Sequence, residues 1–261
     1  MDKKETRKIN DYQREKYEEF EIMASRKLFE IYSPVINKLK NNETINILDI
    51  GGGNGNFALM VTSHFSEAQC SYYVLDNTRY NSWEENSENP NLNFVLGSAY
   101  ELETMFANDF FDVIFVNRTL HHLVFDTWRE TVKGYDTLFS QISNVLKDDG
   151  YLCITEETAE SYVHEKAGSY IIYKLTTCKF KPIISLCKKL NGKSAGVGVC
   201  FLSDKSWRAI FANHNFVVEN VTVGKKRKIK FYWRICLLLK EYFFDKGYIL
   251  RKVRNHVVVE E

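Results

Sequence analysis

The residues with the clearest chemical potential lie in three short stretches. In "INILDIGGGNGNFALM", residues 45 to 60, an apolar run carrying Asp49 passes through Gly51, Gly52, Gly53 and Gly55 and resumes as a helix-like pattern. Backbone that must approach a ligand closely, often at positive φ, favours glycine, so this stretch predicts a strand, a tight loop and a helix holding a nucleotide-like ligand. In "NRTLHHLV", residues 117 to 124, the adjacent His121 and His122 follow another apolar run, and imidazole is the side chain best suited to moving a proton near neutral pH. In "GKKRKIKFYWR", residues 224 to 234, six Lys and Arg residues stand beside Phe231, Tyr232 and Trp233. Such a mixture can track phosphates and stack bases, dock an acidic carrier protein or touch an anionic membrane surface. The blander reading of it is a solvated turn leading into an amphipathic helix.

The glycine loop alone leaves its ligand open. Gly53, Gly55 and Ala58 satisfy the G-x-G-x-x-G/A dinucleotide pattern, and Asp76 lies 21 residues beyond Gly55, so NAD fits. Gly51, Gly53 and Gly55 also read as G-x-G-x-G, with Asp49 inside the strand end before them.

These residues need a scaffold that brings strand ends together. Apolar runs at 45–50, 70–76, 92–97, 111–117 and 150–156 alternate with helix-length segments, the clearest at 127–146. That rhythm indicates a parallel sheet covered on both faces. Residues 10–40 carry apolar residues at helical spacing and predict one or two amphipathic helices, broken near Ser33 and Pro34, as a lid before the glycine loop. "KDDG" at 147–150 punctuates the end of the 127–146 helix, and residues 157–200 predict an irregular, Gly-rich insertion. A capped helix starting at Ser203 or Asp204 and a strand at 216–223 follow. A helix over 229–244 and a last strand at 253–260 complete the expected order, with "YWRICLLLK" as the alternative last strand.

At this point the sequence resembles the class I S-adenosylmethionine-dependent methyltransferases, on "ILDIGGGNG", "YYVLD" ending in Asp76, the fourth run ending in Asn117, and "LKDDGYLCITE". The resemblance covers roughly 45–160 and extends weakly to 223. It implies a Rossmann-like three-layer α/β sandwich of small-molecule type, with strand order 3-2-1-4-5-7-6 and an antiparallel seventh strand. The implied domains are an N-terminal helical lid (1–40) and a methyltransferase domain (41–261) with an acceptor-pocket insertion at 157–200. It also implies S-adenosyl-L-methionine as methyl donor and S-adenosyl-L-homocysteine as product. Asp49, Gly51, Gly53 and Gly55 would cradle the amino-acid end, and Asp76, with Asn77 beside it, would receive the ribose hydroxyls. Ser98 and Ala99 stand at the adenine position, where the family usually has Gly-Asp; a hydroxyl there lacks the charge-assisted contact. Asn117 lies beside the methyl-transfer position, and Tyr17 would cover the cofactor, with Tyr12 as a further lid residue.

A narrower resemblance, to the methyltransferase domains of polyketide synthases, sets "NRTLHH" and "CITEET" against that group's His-Glu pair. It implies His121 as general base and Glu156 as its orienting carboxylate, with His122 able to replace His121 if the loop is rotated by one residue. Glu157, Tyr162 and His164 in the following loop are candidates to line the acceptor pocket. The implied reaction is methylation of a small-molecule acceptor, with an acyl carrier protein as a second candidate partner. Other readings are an RNA methyltransferase using 224–234, though no "NPPY"-type motif follows Asn117, an NAD-dependent oxidoreductase, and a cofactor-binding protein without catalysis.

Bulk properties narrow the classes further. The chain has 261 residues, 44% hydrophobic and 26% charged, enough for a sizeable core under an ordinary charged surface. With 35 Lys and Arg against 34 Asp and Glu, no overall field attracts nucleic acid, which is not an expected partner. Six scattered cysteines without a C-x-x-C pair argue against a zinc ribbon or disulfide framework, and no metal is expected. The polar N-terminus does not read as a signal peptide, and no apolar run is long enough to span a bilayer, so a cytoplasmic location is expected.

Overall fold

A computed structural model describes residues 11–66, 69–190, 192 and 194–253, except the side chains of 11–22. One seven-stranded sheet runs through it, in the order β3-β2-β1-β4-β5-β7-β6. Its strands are β1 (Ile45–Ile50), β2 (Cys70–Asp76), β3 (Leu92–Leu96), β4 (Phe111–Asn117), β5 (Leu146–Ser161), β6 (Phe216–Lys228) and β7 (Leu239–Lys252). Pairing is parallel from β3 to β5, and β7 runs antiparallel to both β5 and β6. The expected strand order and the reversed seventh strand are both present.

Side chains alternate across the pleat, so each strand feeds two cores. On one face Ile47, Tyr72, Val74, Phe115 and Cys153 pack against α1 (Asp11–Leu39) and α2 (Asn56–Thr62). On the other, Leu48, Ile50, Val116, Leu152 and Ile154 pack against α5 (Trp128–Val145) and α8 (Asp204–Asn213). The short helices α3 (Ser82–Asn86) and α4 (Leu102–Met105) flank β3. Thr127 starts α5 by accepting from the Glu130 amide at 3.1 Å, and Ser203 starts α8 in the same way from Ser206 at 3.0 Å.

Four expectations are corrected. First, α1 does not break at Pro34. A proline there removes the amide that would bond the Glu30 carbonyl, but the Ser33 hydroxyl donates to that carbonyl at 2.9 Å, so the turn survives. Second, residues 157–200 are more regular than expected: β5 continues to Ser161, and α6 (Ala167–Thr177) and α7 (Lys181–Lys189) follow. Third, the basic stretch is not a solvated turn, because β6 continues to Lys228 and Lys226–Lys228 pair with Tyr242–Phe244. Fourth, the helix expected over 229–244 shrinks to α9 (Phe231–Cys236), and the seventh strand of the sheet is β7 (Leu239–Lys252) rather than "YWRICLLLK". Beyond Val253, the expected strand lies outside the described residues.

A third apolar cluster closes the far end of the β5-β7-β6 strands. Ala159, Ile172, Val199, Ile229, Leu237 and Leu239 meet there, with Phe201, Trp233 and Phe243 against them. Helix α6 lies close on β7 because Gly168 has no side chain: a Cβ there would stand 2.4 Å from Leu239.

Candidate active site

The parallel strands end side by side at one edge of the sheet, the edge where open α/β sheets bind ligands. Asn117 of β4 is paired with Thr155 of β5, which places Glu156 one residue beyond the neighbouring strand end. Strand alternation sorts these ends by face. Asp49, Asp76, Asn117 and Thr155 continue the rows that face α1 and α2, whereas Glu156 continues the Leu152–Ile154 row on the α5 and α8 side.

The glycine loop is a left-handed turn. Gly51, Gly53 and Gly55 have φ of 72°, 56° and 86°, a region that side chains rarely occupy. The Gly51 amide donates to the Leu75 carbonyl at 2.7 Å, tying the loop to β2, and a Cβ on Gly51 would stand 2.3 Å from the Thr119 hydroxyl oxygen. Gly52 lies over Asp49: a Cβ there would stand 3.0 Å from its carboxyl carbon.

Asp49 is fully enclosed. Its Oδ2 accepts from the Tyr72 hydroxyl at 3.2 Å, while Oδ1 is buried with no hydrogen-bond partner among the described residues. Burial pushes its pKa up to about 7, against a smaller lowering from Tyr72. An unpaired, desolvated acceptor beneath a bare-backbone loop fits a ligand that presents a cationic donor. Asp76 accepts from the Gly53 amide at 3.3 Å and the Thr78 amide at 2.9 Å. Burial holds its pKa at about 6 despite those bonds.

The sign of the Asp49 shift yields a prediction for the ligand-free protein. A raised folded-state pKa means the group stabilises the fold fully below its unfolded value of about 3.9 and loses that contribution as pH rises through about 7. Asp49 alone then lowers stability by about 4 kcal/mol between pH 4 and pH 8. Asp76 adds in the same direction, while Asp204 and Glu165, held below their ordinary values, oppose it. Thermal denaturation should show Asp49→Asn gaining on the wild type as pH rises, and a constant difference would contradict the reading.

Asn117 sits in a polar knot that its own stretch of sequence did not reveal. The Tyr32 hydroxyl of α1 donates to Asn117 Oδ1 at 2.9 Å and lies 2.5 Å from the Thr155 hydroxyl, while Asn117 Nδ2 is buried without a partner among the described residues. Tyr32 and Thr155 thus aim an amide donor at the strand ends. Nothing in the helical spacing of residues 10–40 singles out Tyr32 for this part.

His121 and Glu156 come together across 35 residues. His121 Nδ1 lies 2.5 Å from Glu156 Oε1, and the His121 amide donates to Oε2 at 3.1 Å. The Glu157 amide also donates to Oε1 at 2.9 Å, so three contacts hold the carboxylate in place. Both residues are buried. Phe201 stacks on the imidazole at 4.9 Å, and the Cys200 amide donates to the His121 carbonyl at 2.9 Å, so the end of the 157–200 segment returns to the histidine. An ionised Glu156 selects the tautomer with the proton on Nδ1, which leaves Nε2 as an acceptor.

The remaining expected residues are placed differently. His122 lies 4.1 Å from the His121 ring, without a side-chain hydrogen bond among the described residues; burial and its neighbour push its pKa well below the ordinary value. Ser98 accepts from the Tyr100 amide at 3.2 Å, forming a turn, and Ala99 packs against the core. Asn77 is exposed beside Asp76 and accepts from Thr78. Tyr17, like Tyr12, is among the residues whose side chains lie outside the described set. Glu157 pairs with Arg227 at 2.8 Å, and Tyr162 and His164 are exposed, so these three do not line an enclosed pocket. Among the described residues, no group of three or more His, Cys, Asp or Glu is arranged to hold a metal ion.

Comparison with known proteins gives the same architecture. A family profile described as a methyltransferase domain matches residues 24–221. A candidate sarcosine dimethylglycine methyltransferase from Galdieria sulphuraria has TM-score 0.58 at 13% identity, covering 87% of this chain and 86% of its own. Geranyl diphosphate C-methyltransferase from Streptomyces coelicolor A3(2), solved with Mg2+, geranyl diphosphate and S-adenosyl-L-homocysteine, has TM-score 0.52 at 10% identity, covering 84% and 77%. The cyclase SpnF has TM-score 0.55 at 12% identity, covering 88% and 81%. At these identities the likeness is one of fold. No curated protein matches the chain.

Proposed function

The chain belongs to the methyltransferase-domain family, and on that premise we propose that it moves the methyl group of S-adenosylmethionine to a small-molecule acceptor, with His121 as general base oriented by Glu156. Family membership favours the methyl donor over the dinucleotide that the glycine pattern also admits. The observation that carries the catalytic part is the His121–Glu156 contact at 2.5 Å, buried beside the strand ends that hold the glycine loop.

S-adenosylmethionine supplies, when bound, an electrophilic methyl on a sulfonium that departs as a neutral thioether. Gly51, Gly53 and Gly55 offer it bare backbone, and Asp49 offers a carboxylate oxygen in need of a donor. Asp76 is suited to the ribose hydroxyls by its place at the end of β2. Asn117, held by Tyr32, presents its amide nitrogen beside them. His121 Nε2 takes the acceptor's proton, and Glu156 at Nδ1 stabilises the imidazolium that results. The acceptor side is read as apolar, because Phe201 stacks on His121 and Phe243 meets Phe201 edge to face. Residues 157–200 supply that side, and residues 11–40 act as the lid; residues 1–10 of the expected lid lie outside the described residues.

Glu156→Gln tests the division of labour. The amide keeps the shape but cannot stabilise the imidazolium, so turnover should fall about 10²-fold, with S-adenosylhomocysteine affinity unchanged. Unchanged turnover would remove Glu156 from the mechanism.

A further inference from the structure

Residues 166–203 and 220–240 contain fourteen of the 35 Lys and Arg residues and none of the 34 Asp and Glu residues. In a chain of net charge +1, this leaves the remainder acidic and concentrates positive charge on two segments. The fold brings them together. The Tyr232 hydroxyl and the Trp233 indole of α9 both donate to the Leu190 carbonyl after α7, at 3.3 and 3.1 Å, and Arg234 bonds the Tyr162 hydroxyl.

The same two helices also expose apolar side chains. Helix α7 buries only Cys187 and α9 buries nothing, while Phe180, Leu186, Phe231 and Ile235 are each more than half exposed. Around them Lys179, Lys181, Lys188, Lys189 and Lys230 are exposed as well. Cations flanking projecting aliphatic and aromatic side chains are the pattern of a helix lying in a membrane interface, with lysine stems reaching up to headgroups. A single-stranded nucleic acid would use the cations and the rings, but it has no use for Leu186 and Ile235. Among the described residues no helix is long and apolar enough to cross a membrane, so the contact would be peripheral.

We infer that the α7–α9 face docks on anionic lipid bilayers, its lysines on phosphate headgroups and Phe180, Leu186, Phe231 and Ile235 in the acyl boundary. The inference stands on this surface alone and does not depend on the roles given to His121 and Glu156.

Co-sedimentation of the full chain with vesicles of phosphatidylcholine, or of equal parts phosphatidylcholine and phosphatidylglycerol, tests it. Binding is expected only to the anionic vesicles and weakens with salt. Lys188→Glu/Lys189→Glu/Lys230→Glu should lower it at least tenfold, since each cation contributes about fivefold. Phe180→Ser/Phe231→Ser should lower it about tenfold while retention on heparin stays unchanged. Equal binding to both vesicle types, or a serine variant that binds vesicles like the wild type, would overturn the inference. So would saturable binding to an acidic acyl carrier protein or single-stranded RNA tighter than to vesicles.

Discussion

Replacing His121 with alanine is expected to lower methyl transfer by about 10²- to 10⁴-fold while leaving affinity for S-adenosylhomocysteine within about twofold. The separation follows from where the residue sits. His121 touches Glu156, Phe201 and the chain at Cys200, on the side proposed for the acceptor, and shares no hydrogen bond or ring contact with Asp49, Asp76 or the glycine loop among the described residues. Its removal withdraws the proton acceptor and leaves the donor's cradle intact. Transfer of a labelled methyl group from S-adenosylmethionine into a small-molecule extract provides the readout. His122→Ala is the control: it removes the neighbouring imidazole, which has no carboxylate partner among the described residues, and should cost far less. Equal losses for the two variants would mean that the pair acts by packing.

The second large effect is expected at Gly51. Its φ of 72° already disfavours a side chain, and a Cβ would stand within 2.9 Å of all three of the Thr119 atoms Oγ1, Cγ2 and Cβ. Rotating Thr119 exchanges one clash for another, so the loop itself must move. Gly51→Ala should weaken S-adenosylhomocysteine binding by about 10- to 10²-fold, from strain of the order of 1–3 kcal/mol. Gly196→Ala separates this from general damage to the fold. Gly196 also has positive φ, at 86°, but the nearest atom to a Cβ there belongs to Ile184 of α7, at 3.3 Å. It should lose stability and keep the ligand; a Gly51→Ala protein that binds as well as the wild type would refute the cradle.

Legibility in the sequence followed burial. Strands β1, β2 and β4 are covered on both faces, so they appear as near-continuous apolar runs with sharp ends, and their C-terminal residues could be named by inspection. The β6 and β7 strands extend past the main core, mix Lys and Arg with aromatics, and lose the simple pattern; "KEYFF" in β7 passed for part of a helix. Pro34 misled because a neighbouring hydroxyl replaced the missing bond, a compensation that composition does not display. In the candidate site, the glycines, Asp49, Asp76 and the His121–Glu156 pair lie at or shortly after strand ends that motif and resemblance could locate. The part played by Tyr32 and Thr155 was not legible, because it depends on α1 crossing the sheet edge at Asn117, a tertiary contact 85 residues apart in the chain.

The central claim is that one loop holds the methyl donor while a separate histidine serves the acceptor. Calorimetric titration with S-adenosylhomocysteine and with NADH, on wild type, Gly51→Ala and His121→Ala, addresses it directly. The account predicts that S-adenosylhomocysteine binds wild type and His121→Ala alike, that Gly51→Ala weakens it, and that NADH gives no heat with any of them. Binding of NADH, or loss of S-adenosylhomocysteine binding in His121→Ala, would contradict it.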